Sequence, residues 1–343
     1  MAPESEELRA QLDEEENGGG PVKPFLEHLE DLRWVLIKSL AALAIAVVVC
    51  LLAGNAIVQI LTYPLKNART FYSRDVQVVT LLFGTNRLGT FELAPAQREH
   101  LDLGTNRFVA LRLEPIIIST NRVLGWQIDE EATSKANRGL PVELVTLSPA
   151  GAFIIALKVA VYAGVVLAAP FILFFIGQFV FPALKRKERY YASRALVIGA
   201  GLFIVGVLFC YFVLVPIALS ASVQYARWLG FSTPQWRAED YVAFVSKFML
   251  GMGLGFELPV VILVLVKIGV LDYRTLAKAR KYVIIINLVI AAVLTPPDVM
   301  SQVLMAIPLQ LLYEITVWIA WFWARKDRKQ IAQHPAESGQ SAG

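Results

Sequence analysis

Long apolar segments limit what this chain can fold into more than any other feature of its sequence. Crossing the hydrocarbon core of a bilayer as a helix takes about 20 mostly apolar residues. Four segments reach that length, at residues 34–61, 159–184, 195–219 and 244–266. The sequence therefore predicts an all-α polytopic membrane protein.

A further apolar region, residues 282–324, is interrupted by the sequence Thr295-Pro-Pro-Asp. Consecutive prolines lack backbone donors and force a turn, so this region predicts two helices rather than one. The first piece, residues 282–294, would extend only about 20 Å at ~1.5 Å per residue. We expect it either to re-enter the membrane or to cross a locally thinned bilayer. Counting it as a crossing gives six transmembrane helices.

Composition agrees with a membrane location and argues against several other classes of protein. Hydrophobic residues make up 56% of the chain and charged residues 17%, whereas an average soluble domain has about 25% charged residues. The net charge of +4 is too small to indicate nucleic-acid binding. Both cysteines lie in apolar segments and all three histidines lie outside them. We therefore expect no metal, no cofactor and no enzymatic activity.

Basic residues fall on alternate sides of the predicted helices. Lys and Arg cluster in residues 23–38, 185–194, 267–281 and 325–329, whereas the short loops on the other side hold few cations. The positive-inside rule places the basic side in the cytoplasm. Both termini are then predicted to be cytoplasmic.

These segments also predict the domain organisation. Residues 1–23 form an acidic tail that we expect to be disordered. A cytoplasmic motif and the first helix occupy residues 24–65, and an extracytoplasmic insert between helices 1 and 2 occupies residues 66–147. The other five helices lie in residues 148–324, followed by a cytoplasmic tail at residues 325–343.

The insert is predicted to be rich in β-structure. Apolar, β-branched stretches at residues 76–83, 108–118 and 142–147 predict strands. A Thr-Asn-Arg sequence occurs three times, at residues 85–87, 105–107 and 120–122. Asparagine after an apolar stretch is typical of turns, so the repeat indicates equivalent strand ends rather than a binding motif.

Short motifs beside the apolar segments carry a family resemblance. In chain order they are PFLEHLEDLR (24–33), PALKRKER (182–189), FCYFVLVP (209–216), FELP (256–259) and LTPPDVMSQ (294–302). Together they resemble TatC, the polytopic core of the twin-arginine protein translocase. The resemblance covers the chain apart from the two tails and the insert.

This resemblance implies a function and a set of partners. TatC proteins receive folded proteins that carry twin-arginine signal peptides at the cytoplasmic face of the bacterial inner membrane. With TatA/TatB-type single-span subunits, they export these cargoes using the proton-motive force, and the resemblance also implies a homo-oligomer within the complex. The sequence agrees that no nucleotide is hydrolysed, since it lacks a glycine-rich lysine loop that would hold phosphates.

The resemblance assigns recognition of the paired arginines to Asp31 and Glu188, and adds Arg33 and Phe179 to the same site. A carboxylate can accept two hydrogen bonds from the planar guanidinium fork, whereas a lysine offers only a point charge. Asp31 stands where the family usually has the longer Glu, and Val35 stands where a second cation is common. Without the resemblance, Glu188 would be interpreted as a solvated acid neutralised by the surrounding cations.

Glu257 is a candidate on physical grounds alone, because a carboxylate inside a span costs ~2.5–3.5 kcal/mol on insertion scales. It could be a protonated structural acid or a proton-handling group, and the resemblance implies contact with a partner helix during transport. Transport or partner-contact roles are also predicted for Pro64, Phe153, Asp298 and Gln302.

These further residues have structural alternatives. Phe153 and Pro64 are also explained by packing, and Asp298 by capping of the following helix. Glu314 is a second candidate for a buried acid.

Two other functions remain open from the residues. One is a secondary transporter of a small solute that uses Glu257 as its coupling acid, although the expected matched repeats of broken helices are not visible. The other is a membrane scaffold that binds a partner through the insert.

Overall fold

The computed structural model describes residues 25–67, 77–84, 86–93, 103, 106, 108–118, 121–136, 142–181, 186–231, 235–295 and 298–333. The predicted disordered tail at residues 1–23 lies outside these described residues. The helices are α1 (Phe25–Leu52), α2 (Gly54–Asn67), α3 (Glu130–Ala136), α4 (Gly151–Val180), α5 (Arg186–Phe209), α6 (Val215–Trp228), α7 (Ala238–Lys267), α8 (Tyr273–Leu294) and α9 (Val299–Gln333). A π-helical segment, Cys210–Leu214, joins α5 to α6.

Helices long and apolar enough to cross a membrane account for every predicted long span. Among the described residues they are Leu29–Leu52, Gly151–Val180, Arg189–Ala226, Ala238–Lys267 and Val299–Lys326. They present many exposed apolar side chains, such as Leu36 at 68% and Val197 at 74% exposure. Surfaces of this kind are expected where a helix faces lipid.

The first predicted span, residues 34–61, is wrong as one continuous helix. Helix α1 ends at Leu52 and α2 begins at Gly54. The sequence around this break, Leu-Leu-Ala-Gly-Asn-Ala-Ile, stays apolar enough to hide it in a hydropathy pattern. Glycine followed by asparagine is nevertheless unfavourable inside a helix, which explains the position of the break.

The third predicted span is also longer than expected. The helix does not stop near residue 219 but continues through the π segment to Trp228. Pro216 cannot donate to the carbonyl of Phe212, and its ring clashes there in an ordinary α-helix. The wider π turn immediately before Pro216 accommodates this loss.

The break in the last apolar region is confirmed. Helix α8 ends at Leu294 and α9 begins at Val299. Asp298 caps α9, since its Oδ1 accepts a hydrogen bond from the backbone N–H of Ser301 at 2.7 Å. This cap was one of the two interpretations of Asp298 from the sequence.

Helix α8 is longer than the predicted piece at residues 282–294. It has 22 residues and begins at Tyr273, which corresponds to about 33 Å at ~1.5 Å per residue. Its first half contains Leu, Ala, Lys and Arg, all of which favour helix. The Lys and Arg residues lower the mean hydropathy of this half, so it was not recognised as part of an apolar span.

The chain forms two compact units. The first comprises residues 1–54, 157–210 and 246–343, and the second comprises residues 55–156 and 211–245. In the first unit, close helix packing depends on glycines. A Cβ on Gly206 of α5 would lie 2.8 Å from the carbonyl oxygen of Met252, and one on Gly253 of α7 would lie 2.7 Å from the ring of Phe203. Such small residues let membrane helices approach closely.

The second unit contains the sheet of the insert. Its strands are β1 (Gln77–Phe83), β2 (Asn86–Leu93), β3 (Phe108–Ile118) and β4 (Asn121–Ile128), in the spatial order β2-β1-β3-β4. Strands β1 and β3 are parallel and the outer pairs are antiparallel. Asn86 and Asn121, from two of the Thr-Asn-Arg repeats, begin β2 and β4.

Pro115 is tolerated in β3 because of this register. Among the described residues, β1 pairs with β3 only as far as Leu113, and beyond that point β3 is paired with β4 alone. The missing N–H of a proline is acceptable on an unpaired side.

A second, two-stranded sheet pairs β5 (Glu143–Val145) with β6 (Gln235–Arg237) in parallel. Strand β6 runs directly into α7, and β5 precedes α4 by a short segment. The β5–β6 pairing therefore connects the segments that lead into α4 and α7, two candidate membrane helices.

Candidate functional site

Glu257 lies in α7 with its side chain withdrawn from the surface. It is 8% exposed, and its Oε1 atom is buried without a hydrogen-bond partner among the described residues. A buried polar atom without a partner is costly, so such a group is expected to have a functional or structural reason. Helix α7 continues past Pro259, which withholds the donor that would otherwise bond to the carbonyl of Gly255.

The carboxylate of Glu257 is placed against the backbone of α5. A Cβ built on Gly199 would lie 2.5 Å from its Oε2 atom. Only glycine therefore leaves room for the observed position of this side chain. The neighbouring Phe256 ring packs on Phe209 of α5, with 5.9 Å between ring centroids.

The opposite side of α7 packs against α9. Gly251 and Gly255 are one helical turn apart, and a Cβ on either would overlap α9 side chains, Met305 at Gly251 and Leu309 at Gly255. Glycines therefore allow α7, which contains Glu257, to pack closely against α5 on one side and α9 on the other.

Polar groups run along the antiparallel pair α8 and α9. The amide of Asn287, which is 3% exposed, donates to Gln310 Oε1 at 3.2 Å. Gln310 donates to Glu314 Oε1 at 3.4 Å, and the Arg280 guanidinium lies 3.1 Å from Glu314 Oε2. A series of side-chain contacts thus links the two helices over several turns.

This arrangement changes the interpretation of two predicted residues. Glu314 is not a deeply buried acid, since its side chain is 34% exposed and paired with Arg280. Gln302, predicted to contact a partner, donates its amide to the carbonyl of Leu288 at 3.0 Å. Its amide nitrogen is therefore already engaged within the hairpin.

The predicted signal-peptide residues lie at the ends of apolar helices. Asp31 and Arg33 are in the first turns of α1, Asp31 half-buried and Arg33 exposed. Phe179 is half-buried near the end of α4. Glu188 lies in the first turn of α5, but its side chain is outside the described residues. Whether Asp31 and Glu188 share a site therefore stays a prediction.

Pro64 lies inside α2, after the candidate span Leu29–Leu52, and is buried. Because it has no N–H, the carbonyl of Ile60 lacks its helical donor. The Tyr211 hydroxyl donates to that carbonyl at 2.7 Å, and the Tyr241 hydroxyl donates to the next one, Leu61, also at 2.7 Å. The proline is thus part of a defined packing arrangement.

Phe153 lies in the first turn of α4 and is 73% exposed. Packing inside the chain therefore does not explain it, which favours contact with lipid or another subunit over the structural alternative. No group of His, Cys, Asp or Glu side chains suited to a metal occurs in the part of the chain that the structure describes.

The comparison with protein families decides the assignment. The family model of the Sec-independent protein translocase protein (TatC) matches residues 27–308. The chain belongs to the TatC family. All of the motifs from 182–189 to 294–302 lie within the matched residues, and so does the insert. Membership of TatC makes this chain a membrane protein of a protein translocase family rather than an enzyme.

Individual relatives agree with this assignment. The TatC of Akkermansia muciniphila is 40% identical over 201 residues, which cover 57% of this chain and 58% of that protein. The TatC of Aquifex aeolicus is 40% identical over 192 residues, covering 55% of this chain and 78% of that protein. The TatC of Escherichia coli is 34% identical over 188 residues, covering 54% and 72%.

Solved structures show the same fold. A crystal structure described as the twin-arginine translocase receptor TatC is 29% identical and superposes with a TM-score of 0.58, covering 86% of this chain and 98% of that one. A second TatC crystal structure, in detergent, gives a TM-score of 0.59 at the same identity.

Sequence reasoning missed two residues of this TatC chain that the structure makes prominent. Gly199 leaves the space for the Glu257 carboxylate, and Asn287 is the buried amide between α8 and α9. The abundance of glycine in α5 was a visible signal for the first. A polar residue in the apolar half of α8 was a signal for the second.

Proposed function

We propose that this chain is the receptor and core subunit of a twin-arginine translocase. It binds twin-arginine signal peptides of folded proteins at the cytoplasmic face. With TatA/TatB-type single-span subunits, it mediates export driven by the proton-motive force. The family match across residues 27–308 carries this proposal, and the likeness to structures described as the twin-arginine translocase receptor supports it.

The proposed topology is six transmembrane helices with both termini in the cytoplasm of a bacterial cell. Helix α8 accompanies the candidate span α9 in antiparallel fashion, from the Tyr313 hydroxyl bond to the Leu276 carbonyl at one end to the Gln302 bond with Leu288 at the other. With 22 residues, about 33 Å at ~1.5 Å per residue, α8 is long enough to be the sixth crossing in this proposal. The alternation of basic and non-basic loops supports the orientation.

The same topology places the insert outside the cytoplasm. Of the two helices that precede the insert, α1 alone is taken as a crossing, so in this proposal one crossing separates the insert from the N-terminal motif. Deleting residues 66–146 tests the scaffold alternative, since a scaffold acting through the insert would lose its activity whereas a translocase core would keep export.

The proposed recognition site uses Asp31 and Glu188 as acceptors for the arginine pair, with Arg33 and Phe179 beside them. Asp31 lies in an acidic stretch in the first turns of α1, and Glu188 lies in the first turn of α5, each shortly before an apolar segment. A signal peptide has a matching order, with cations followed by an apolar stretch. Carboxylates at such a boundary can bind the arginines while the apolar stretch stays in the membrane.

The proposed transport site is Glu257. Its unpartnered Oε1 atom can accept a hydrogen bond from a polar group on a partner helix, which would relieve the cost of burying it. Gln302, Phe153, Pro64 and Asp298 remain proposed contacts for transport. For Pro64 and Asp298 the structure also supplies internal roles in α2 and α9.

Two substitutions test this division of labour in the full chain. Glu188→Ala is expected to weaken signal-peptide binding and export together, because it removes an acceptor for arginine. Glu257→Ala is expected to reduce export and leave peptide affinity unchanged. Asp272→Ala is a matched control, since Asp272 is an exposed acid next to α8 whose side chain makes no capping hydrogen bond. Loss of peptide binding in Glu257→Ala, or normal binding in Glu188→Ala, would contradict the proposal.

A further inference from the structure

A cavity opens between α8 and α9 near the end of the hairpin where the basic residues lie. Its volume is about 350 Å³. Most of its wall is aromatic, and Trp318 and Phe322 are 66% and 59% exposed at its mouth. The residues that line it include Tyr273, Ala277, Arg280, Trp318, Trp321 and Phe322.

Arg280 is the cation in this wall. One of its terminal nitrogens, Nη2, lies 3.1 Å from the Glu314 carboxylate. Its Nε atom is buried and has no hydrogen-bond partner among the described residues. A guanidinium carries five N–H donors in a fixed fork, so the pair with Glu314 leaves donors available to a second acceptor.

The charges around the cavity favour an anion. Arg274 of α8 adjoins Tyr273 of the cavity wall, and the Arg325 guanidinium of α9 stacks over the Trp321 ring at 5.3 Å from its centroid. Glu314 offsets the charge of Arg280. The site therefore combines an excess of positive charge with an aromatic wall.

We propose that this cavity binds an anionic phospholipid, with the lipid phosphate on Arg280 and an acyl chain along the wall of Trp318 and Phe322. A free phosphate would gain from the guanidinium but not from the apolar wall. A lipid satisfies both, and the cavity opens beside exposed aromatic side chains of α9, a candidate membrane span. Basic pockets between membrane helices on the cytoplasmic side are suited to acidic headgroups.

The test measures lipid binding to the purified full chain by native mass spectrometry. The probes are phosphatidylglycerol and phosphatidylcholine with identical acyl chains. We expect phosphatidylglycerol to bind about tenfold more tightly, a difference of about 1.4 kcal/mol. Arg280→Gln is expected to abolish that preference, while Lys278→Gln, which removes an exposed cation of the same helix that does not line the cavity, is expected to retain it.

A second variant keeps the test decisive if Arg280→Gln fails to fold. Ala277→Trp fills the cavity and leaves the Arg280–Glu314 pair in place, so it is expected to lose tight lipid binding as well. No preference in the native chain, equal loss in Lys278→Gln, or full binding by Ala277→Trp would each overturn the proposal.

Two further arms distinguish other occupants. Inorganic phosphate is expected not to displace phosphatidylglycerol, and displacement at millimolar concentration would assign the site to free phosphate instead. A photoreactive amino acid in place of Trp318 is expected to crosslink to lipid in native membranes. Crosslinking to a protein would show that a partner helix occupies the cavity and would overturn the lipid assignment.

Discussion

Tyr211→Phe tests how this chain compensates for the proline in α2. In the native structure the Tyr211 hydroxyl donates to the Ile60 carbonyl at 2.7 Å. The N–H that would normally bond to that carbonyl belongs to residue 64, which is proline. Removing the hydroxyl therefore takes away the donor that stands in for the missing N–H of residue 64. Tyr211 is only 8% exposed, so water has poor access to replace it.

The expected cost follows from the loss of a buried partner. An unsatisfied buried acceptor costs about 1–3 kcal/mol, whereas the net value of an ordinary hydrogen bond is about 0.5–1.5 kcal/mol. Pro64→Ala restores an N–H to the Ile60 carbonyl. In that background Tyr211→Phe should therefore cost less, and the double-mutant cycle should give a coupling energy on the order of 1 kcal/mol.

The assay is denaturant unfolding of the four proteins of the cycle in mixed micelles. Tyr313→Phe is the matched control, because its hydroxyl also donates to a helical carbonyl at 2.7 Å, that of Leu276. Leu276 keeps its helical donor, since α8 continues without a proline. Equal costs for Tyr211→Phe with and without Pro64, or a coupling of the same size between Pro64 and Tyr313, would refute this reasoning.

Substitutions at three further sites have defined outcomes. Gly199→Ala should displace the Glu257 carboxylate and reduce export. Gly201→Ala should leave export unchanged, because the added Cβ has nothing within 4 Å. Equal export by the two variants would contradict the close approach of Glu257 to Gly199. Asp298→Ala should lower the free energy of unfolding by about 0.5–2 kcal/mol through loss of the α9 cap, and Asp298→Asn should retain most of it. The Ala132 backbone N–H and then Arg112 lower the pKa of Asp129, so the insert should lose stability as the pH falls from about 4 towards that lower pKa. Asp129→Asn should remove this acid dependence in thermal unfolding, and an unchanged pH profile would disprove it.

Local chemistry made much of the helical organisation predictable. The break at Thr295-Pro-Pro-Asp and the cap by Asp298 depend on residues adjacent in the chain, and both are found. Strand β3 occupies the apolar stretch at residues 108–118. Hydropathy alone did not reveal the helix break before Gly54, because the residues on both sides of the break are apolar. It also did not reveal the start of α8 at Tyr273, because that end of the helix is rich in cations.

The tertiary features of the site could not be predicted in the same way. That Glu257 is an intramembrane acid is visible in one segment of sequence, but its placement against Gly199 depends on how α5 and α7 pack. The same holds for Asn287 and Gln310, which are distant in sequence and bonded across the hairpin. A single sequence does not show which side chains of two packed helices contact each other.

The central claim is that this chain recognises twin-arginine signal peptides. The most direct measurement is the affinity of the detergent-purified full chain for one signal peptide carrying Arg-Arg and for the same peptide carrying Lys-Lys. Because a carboxylate can accept two hydrogen bonds from a guanidinium fork and not from an ammonium, we predict clearly tighter binding of the Arg-Arg peptide. Equal affinity for the two peptides would contradict the receptor function proposed for Asp31 and Glu188.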